Sequence, residues 1–228
     1  ASIAVVMACM GVVVQMMTAT GLSSKISQFA LAIAGDNLLV LAIVVALTCV
    51  LFGMGMPSAS AYILAALLGA PALTTFGVPV VVAHFFVFYF AEMSALTPPV
   101  AIGCLVAAGL AKADFFKTCL ISMRLAIVGF VLPFLFLYRP ALLLQGTVLE
   151  WAWAVLMVVA FLFCFIVFCE NFFRTRTTLW ERIIAGAGAL CCVLPFYALD
   201  FAGLALFGVL IISQGRRVRR ERSLKQAE

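Results

Sequence analysis

Charge is what this sequence has least of. Only 10% of its 228 residues are Asp, Glu, Lys or Arg, whereas 67% are hydrophobic and the mean hydropathy is +1.27. Soluble domains are about half apolar and about a quarter charged. The composition therefore excludes an ordinary soluble domain and indicates an all-α integral membrane protein.

The residue patterns of common catalytic sites are also missing. The single histidine, His84, cannot build an HExxH zinc site, and neither a GxSxG nucleophile motif nor a Walker A loop occurs. Eight cysteines are present without a CxxC pair, so we interpret them as small buried hydrophobes. We therefore expect neither enzymatic activity nor a cofactor.

The basic residues are concentrated at the end of the chain. The net charge is +5, and six of the fourteen basic residues are Arg216, Arg217, Arg219, Arg220, Arg222 and Lys225. A basic segment beside an apolar one is typical of the cytoplasmic membrane face, where it can contact anionic lipid. We expect residues 216–228 to form a basic cytoplasmic tail, with membrane lipid rather than nucleic acid as its partner.

Two interruptions divide the otherwise apolar stretch from Leu38 to Leu110. The first reads GMGMPSAS, from Gly53 to Ser60, and the second reads EMSALTPPV, from Glu92 to Val100. Irregular backbone is tolerated within a membrane only where protein or a water-filled cavity covers it. A pair of interrupted apolar segments is the pattern that marks the ion and substrate site of secondary transporters.

The first interruption predicts a re-entrant hairpin. At about 1.5 Å per residue, the runs 38–52 and 59–73 each cover roughly 22 Å, short of the roughly 30 Å hydrocarbon core. The rival interpretation is one long kinked helix. The second interruption, around Thr97-Pro98-Pro99, divides residues 80–95 from 99–110 and predicts a broken span, because proline removes amide donors and disfavours helix before it.

The flanking segments complete the predicted organisation. Residues 1–37 should form a membrane helix and an amphipathic interfacial arm, followed by an N-cap at Asp36-Asn37. The apolar stripe of the arm comprises Leu22, Ile26, Phe29, Ile33 and Ala34. Residues 38–110 hold the hairpin and the broken helix. Residues 111–146 should contain one span, 120–138, that Arg139-Pro140 ends, and an outer loop.

Residues 147–215 are predicted to form a C-terminal membrane extension. A span over 148–169 should be followed by an apolar stretch, 183–213, broken at Pro195 and Asp200. Positive charge flanks both ends of that stretch, which leaves a shallow re-entrant pair and a single span as alternatives. The polar loop after Leu110 is placed in the cytoplasm, so that the hairpin opens to the outer face.

The two interruptions offer oxygen ligands for a hard cation such as sodium. Glycine permits turn geometry and close approach; carbonyl ends of helices attract cations, and amide ends attract anions. The predicted ion-binding residues combine turn glycines, hydroxyls and a freed carbonyl: Gly53, Gly55, Ser58, Ser94, Ala95 and Thr97. A channel or a non-transporting membrane scaffold could use the same broken helices.

Glu92 places a carboxylate inside a span, which is a functional hypothesis by default. Three alternatives are open: it coordinates a cation, carries a proton, or forms a structural pair with Arg124 or Lys117. Arg124 is expected in the first turns of its helix, snorkelling to the cytoplasm. His84 is expected to have a hydrogen-bonded structural role.

Two segments, GMGMPSASAYILAALLGAPAL and VVAHFFVFYFAEMSALTPPVAIGCLVAAGLAKAD, closely resemble the large membrane subunit of tripartite ATP-independent periplasmic (TRAP) transporters. The resemblance is closest to the fused permease type that works with a TAXI-family solute-binding protein. The later IVGFVLPFLFLYRPALLL run fits the same family, and LPFYALDFAGLAL fits it more weakly. The likeness extends over nearly the whole chain.

The resemblance implies an ion-transporter-superfamily fold with two inverted repeats, of which this chain is the second repeat plus an extension. It implies a sodium-coupled symporter in the inner membrane that imports a small organic anion, such as a carboxylate. Its partners would be a TAXI-type extracytoplasmic solute-binding protein and an N-terminal part of the permease with small-subunit-like helices. The implied substrate-binding residues flank the two breaks: Met56, Pro57, Ser60, Pro98 and Pro99.

Glu92 departs from the small or apolar residue that the resemblance implies at its position. Proton coupling therefore stays open beside sodium coupling. The chain also opens on Ala1 within an apolar run, as a downstream piece of a longer polypeptide would, although a processed start would look the same.

Overall fold

The computed structural model describes residues 2–172, 177–193 and 197–225. All of the elements in these ranges are helices, which confirms the all-α class. They are α1 Ser2–Ala19, α2 Leu22–Ala34, α3 Leu38–Gly53, α4 Ser58–Thr75, α5 Val80–Met93, α6 Ile102–Ala111, α7 Phe115–Leu125, α8 Ile127–Tyr138, α9 Val148–Glu170, α10 Leu179–Val193 and α11 Tyr197–Lys225, with 3₁₀ turns at Ser94–Leu96 and Pro140–Leu143. The chain divides into two compact units, Ala1–Leu137 and Tyr138–Glu228.

Within the described ranges, α4 and α9 are long and apolar enough to cross a membrane, and α7 with α8 would make a third span bent by 42°. One prediction is therefore wrong. The second arm of the hairpin is not a half-length helix, because α4 contains 18 residues and ends at Thr75. The predicted span over 120–138 falls on α7 and α8, which begin earlier, at Phe115, and meet at Ala126.

Helices α3 and α4 form the predicted hairpin, and α5 packs against both. The three helices meet at Gly69, where an added Cβ atom would lie 2.8 Å from Val45 Cγ1 and 3.0 Å from Val87 Cγ1. Two helices packed side by side exclude one long kinked helix. The predicted N-cap is confirmed at Asn37, whose Oδ1 accepts hydrogen bonds from the Leu39 and Val40 amides.

Helix α2 contacts the hairpin through small residues. Ser27, Ala30 and Ala34 are buried, and the Ser27 hydroxyl donates a hydrogen bond to the Leu68 carbonyl at 3.1 Å. The predicted apolar stripe is divided: Ala34 is buried and Ile26 packs against a buried cluster with Leu64 and Leu68, whereas Phe29 and Ile33 lie on the exposed face. That face is available to lipid or to further protein, and the interfacial position of α2 stays a prediction.

In the second unit, α9, α10 and α11 pack together. Asp200 was predicted to break the last apolar stretch, but it lies in the first turn of α11 and is buried. Arg139 pairs with its carboxylate, and the Trp153 indole N–H donates to it at 3.0 Å. An acid with these partners can stay within a helix. The predicted break at Pro195 lies outside the described residues.

The opposite end of the same helices has a second polar cluster. Glu181, near the start of α10, is buried and accepts hydrogen bonds from Ser213 Oγ at 2.9 Å and Gln214 Nε2 at 3.0 Å. These bonds join α10 to α11. The segment predicted as a separate basic tail begins as part of α11, which continues to Lys225.

Candidate ion and substrate site

The tip of the hairpin comprises the four residues between α3 and α4. Helix α3 ends at Gly53, and α4 begins at Ser58. Gly55 has a φ of +81°, a conformation that glycine adopts without steric cost. Pro57 is extended and precedes the first turn of α4. The predicted turn at the first interruption is therefore confirmed, with Gly55 as the residue that requires glycine.

The second interruption replaces regular helix with a 3₁₀ turn and an irregular segment between α5 and α6. The peptide bond between Pro98 and Pro99 is cis, and Ala101 has a φ of +36°. Two hydroxyls satisfy carbonyls at the end of α5. Ser94 Oγ donates to the Ala91 carbonyl at 2.5 Å, and Thr97 Oγ1 donates to the Met93 carbonyl at 2.9 Å.

The structure brings the two interruptions together. A Cβ atom on Gly53 would lie 2.9 Å from Ser94 Oγ and 3.2 Å from the Ala91 carbonyl oxygen, so only glycine allows this approach. On the other side of the tip, a Cβ on Gly55 would lie 3.5 Å from Val100 Cγ1. The carboxyl-terminal ends of α3 and α5 are consequently neighbours.

A hydrogen bond joins the two interruptions a second time. Ser58 Oγ, in the first residue of α4, donates to Glu92 Oε2 at 2.9 Å. The other carboxylate oxygen, Oε1, is buried and has no hydrogen-bond partner in the described part of the chain. The side-chain bond described for Glu92 is thus to Ser58 rather than to Arg124 or Lys117, and the three alternatives for its role stay predictions.

Arg124 itself lies in the last turn of α7 and is exposed, rather than in the first turns of a helix. The predicted helix began at residue 120, whereas α7 begins at Phe115, and this earlier start places Arg124 at the end of the helix. His84 has the structural environment that was predicted, because its Nδ1 lies 3.0 Å from the Tyr62 hydroxyl.

The remaining predicted site residues lie in or next to the two interruptions and differ in how far they are exposed. Ser60 is fully buried, and Met56 packs partly buried against the cluster of Met10, Leu64 and Leu68. The Ala95 carbonyl oxygen lies close to Gly103, since a Cβ there would approach it to 3.2 Å. The others, Pro57, Pro98 and Pro99, are exposed or half-buried.

Chemically, the site is rich in oxygen and poor in positive charge. Glu92 is the only charged residue between Leu38 and Ala111. The Ser94 and Thr97 hydroxyl protons are directed at carbonyls, so their oxygen lone pairs remain available as acceptors. Helix carboxyl-terminal ends carry partial negative charge. This arrangement favours a cation beside Gly53 and Ser94.

The family model described as "Tripartite ATP-independent periplasmic transporter, DctM component" matches residues 1–151, which is 151 of the 228 residues. The chain belongs to the DctM family of TRAP transporter components. This family is one of transporter components rather than enzymes, multi-pass in the membrane and partnered by a solute-binding protein. The comparisons with curated proteins and with solved structures gave no match.

The family match contains both interruptions and ends in the first turn of α9. Helices α10 and α11 lie beyond it. The resemblance to TRAP permeases is thus confirmed for the hairpin, the broken helix and α7–α8. Membership of a transporter family also favours transport over the channel and scaffold alternatives.

Proposed function

We propose that this DctM-family chain is the C-terminal part of a sodium-coupled TRAP symporter permease that imports a small organic anion, such as a carboxylate. The observation that carries the proposal is the contact of Gly53 with Ser94. It brings together two helix ends that each present carbonyl oxygens, in a segment without Lys or Arg.

The sodium ion would be held by oxygens at this contact. The ligands would come from the hydroxyls of Ser58, Ser94 and Thr97 and from backbone carbonyls at Gly53, Gly55 and Ala95. Carbonyl and hydroxyl oxygens are the ligands that hard cations prefer. The Glu92 carboxylate lies beside this group and could contribute an oxygen or a proton site. No other cofactor is needed.

The organic anion would bind where α4 and α6 begin, because helix amino-terminal ends attract negative charge. Met56, Pro57, Ser60, Pro98 and Pro99 would line this side of the substrate site. Sodium bound at the carboxyl-terminal ends of α3 and α5 would then attract the anion electrostatically. That attraction couples sodium binding to substrate binding.

The wider architecture follows from the same proposal. The hairpin and the broken helix would be the second of two inverted repeats, and an N-terminal part with small-subunit-like helices would supply the first. The partner would be a TAXI-type solute-binding protein outside the inner membrane. The paired short helices around two breaks support this arrangement, which is typical of transporters built from repeats.

The test is uptake by proteoliposomes that contain the full-length permease, with its solute-binding protein added outside. A panel of radiolabelled mono- and dicarboxylates would be offered in a sodium gradient and then in an equal potassium gradient. We expect uptake of at least one carboxylate in sodium, and a fall to the rate of empty vesicles in potassium. Uptake that is equal in both gradients would refute sodium coupling.

A further inference from the structure

Glu92 is an isolated charge. No other Asp, Glu, Lys or Arg occurs between Leu38 and Ala111, and α3, α4 and the Ser94–Leu96 turn, which pack against α5, carry none. A carboxylate in an apolar membrane segment is costly. We therefore expect Glu92 to have a structural or functional role.

The described contacts show one use. Ser58, whose hydroxyl donates to Glu92 Oε2 at 2.9 Å, is the first residue after the hairpin tip, and Glu92 lies in the last turn of α5. The residue before the tip, Gly53, packs against Ser94 and the Ala91 carbonyl. Both sides of the tip are therefore fastened to the same turn, residues 91–94.

We propose that Glu92 is a positioning residue, and that its hydrogen bond to Ser58 is a latch that holds the hairpin tip against the broken helix. Gly53 and Ser94 pack through small groups, whereas Ser58, on the α4 side of the tip, is exposed and is joined to α5 by this hydrogen bond. A carboxylate strengthens the bond, because hydrogen bonds to charged groups are stronger than neutral ones.

The amino-terminal end of α4 also favours the negative charge of Glu92. The latch must break whenever the tip moves away from α5, so its strength sets how often the tip opens. This inference rests on the proposed function for its meaning in transport. The contact itself can be tested without transport.

The test is hydrogen–deuterium exchange by mass spectrometry on the purified full-length permease, comparing the peptide over residues 54–62 with that over 38–50. Ser58→Ala and Glu92→Ala should each speed exchange at the tip by about tenfold, as expected from losing a hydrogen bond to a charged group. The double variant should exchange no faster than either single one, since both changes remove the same bond.

Glu92→Gln is the partial rescue, because its side chain keeps an acceptor oxygen at the same reach but loses the charge; we expect exchange at the tip between that of the parent protein and that of Glu92→Ala. Thr74→Ala, which removes a hydroxyl bonded within α4 itself, is the control and should leave the tip unchanged. Exchange over residues 38–50 reports whether each variant is folded.

Three results would overturn the latch: tip exchange unchanged in both single alanine variants, additive effects in the double variant, or Glu92→Gln behaving as Glu92→Ala. The last result would mean that the charge, rather than an acceptor, is what matters. Sodium-independent uptake together with the expected exchange pattern would refute the proposed function and leave the latch standing. Sodium-dependent uptake with unchanged exchange would do the reverse.

Discussion

Two small residues allow the hairpin tip and the broken helix to meet. Gly53 leaves room for Ser94, whose side chain occupies the space that a Cβ on Gly53 would take. The glycine could be recognised in the sequence as a residue for turns and close approach. Its partner could not, because a contact between residues 41 positions apart depends on how α3 and α5 pack, and local sequence pattern does not specify that.

Asp200 is a residue whose position the sequence predicted wrongly, because it lies within α11 rather than at a break. The sequence pattern predicted a break there, whereas an acid in an apolar membrane segment is expected to pair with a polar or basic side chain. Arg139 and Trp153 are those partners, and Arg139 and Asp200 are both buried. The signal available in the sequence was a lone acid, Asp200, in the apolar stretch 183–213 and a lone base, Arg139, in the stretch 125–147.

We predict that breaking this buried pair from one side is costly. Arg139→Met or Asp200→Leu alone leaves an uncompensated buried charge and should lower the free energy of unfolding by about 3–5 kcal/mol. The double variant should recover much of that loss, because no charge remains. Thermal unfolding of the detergent-purified protein, followed by circular dichroism, measures this. The prediction would be contradicted if the double variant were destabilised by as much as the sum of the two single variants. Glu150→Gln, at an exposed position, serves as the control.

At the scale of elements, the hairpin was predictable and its dimensions were not. The glycine and proline pattern around residues 53–60 correctly placed the turn, and Asn37 correctly placed the start of α3. Helix α4 is three residues longer than the predicted apolar run 59–73, because it also includes the polar residues Ser58, Thr74 and Thr75. The 42° bend between α7 and α8 could not be predicted, because the residue at the bend is Ala126 rather than Gly or Pro.

We predict that Gly69→Ala will disturb the hairpin, because Gly69 is where α3, α4 and α5 meet. An added Cβ would lie 2.8 Å from Val45 Cγ1 and 3.1 Å from Cys49 Sγ, so these side chains or the helices that carry them must shift. Overpacking of this kind costs about 1–3 kcal/mol. Gly109→Ala in α6 is the matched control, since no atom lies within 4 Å of its added Cβ. A thermal unfolding midpoint that falls equally in both variants, or in neither, would contradict the prediction.

At the scale of the whole molecule, the family match and the compact units divide the chain in nearly the same place. Residues 1–151 match the DctM component, and the first unit ends at Leu137. The site that the sequence predicted lies wholly in the first unit. The two breaks could be located in the sequence because glycine and proline interrupt an otherwise apolar chain there, whereas the Ser58–Glu92 bond depends on tertiary packing and could not be predicted.

The central claim is that the two breaks form one sodium site, and the sodium concentration for half-maximal uptake tests it most directly. In proteoliposomes with the full-length permease and its binding protein, Ser94→Ala and Thr97→Ala should each raise that concentration by about tenfold, the effect of losing one ligand to a charged group. Expression should be unchanged. Thr74→Ala, whose hydroxyl bonds within its own helix away from the tip, should behave as the parent protein. Half-maximal sodium concentrations that are unchanged in both site variants would contradict the account.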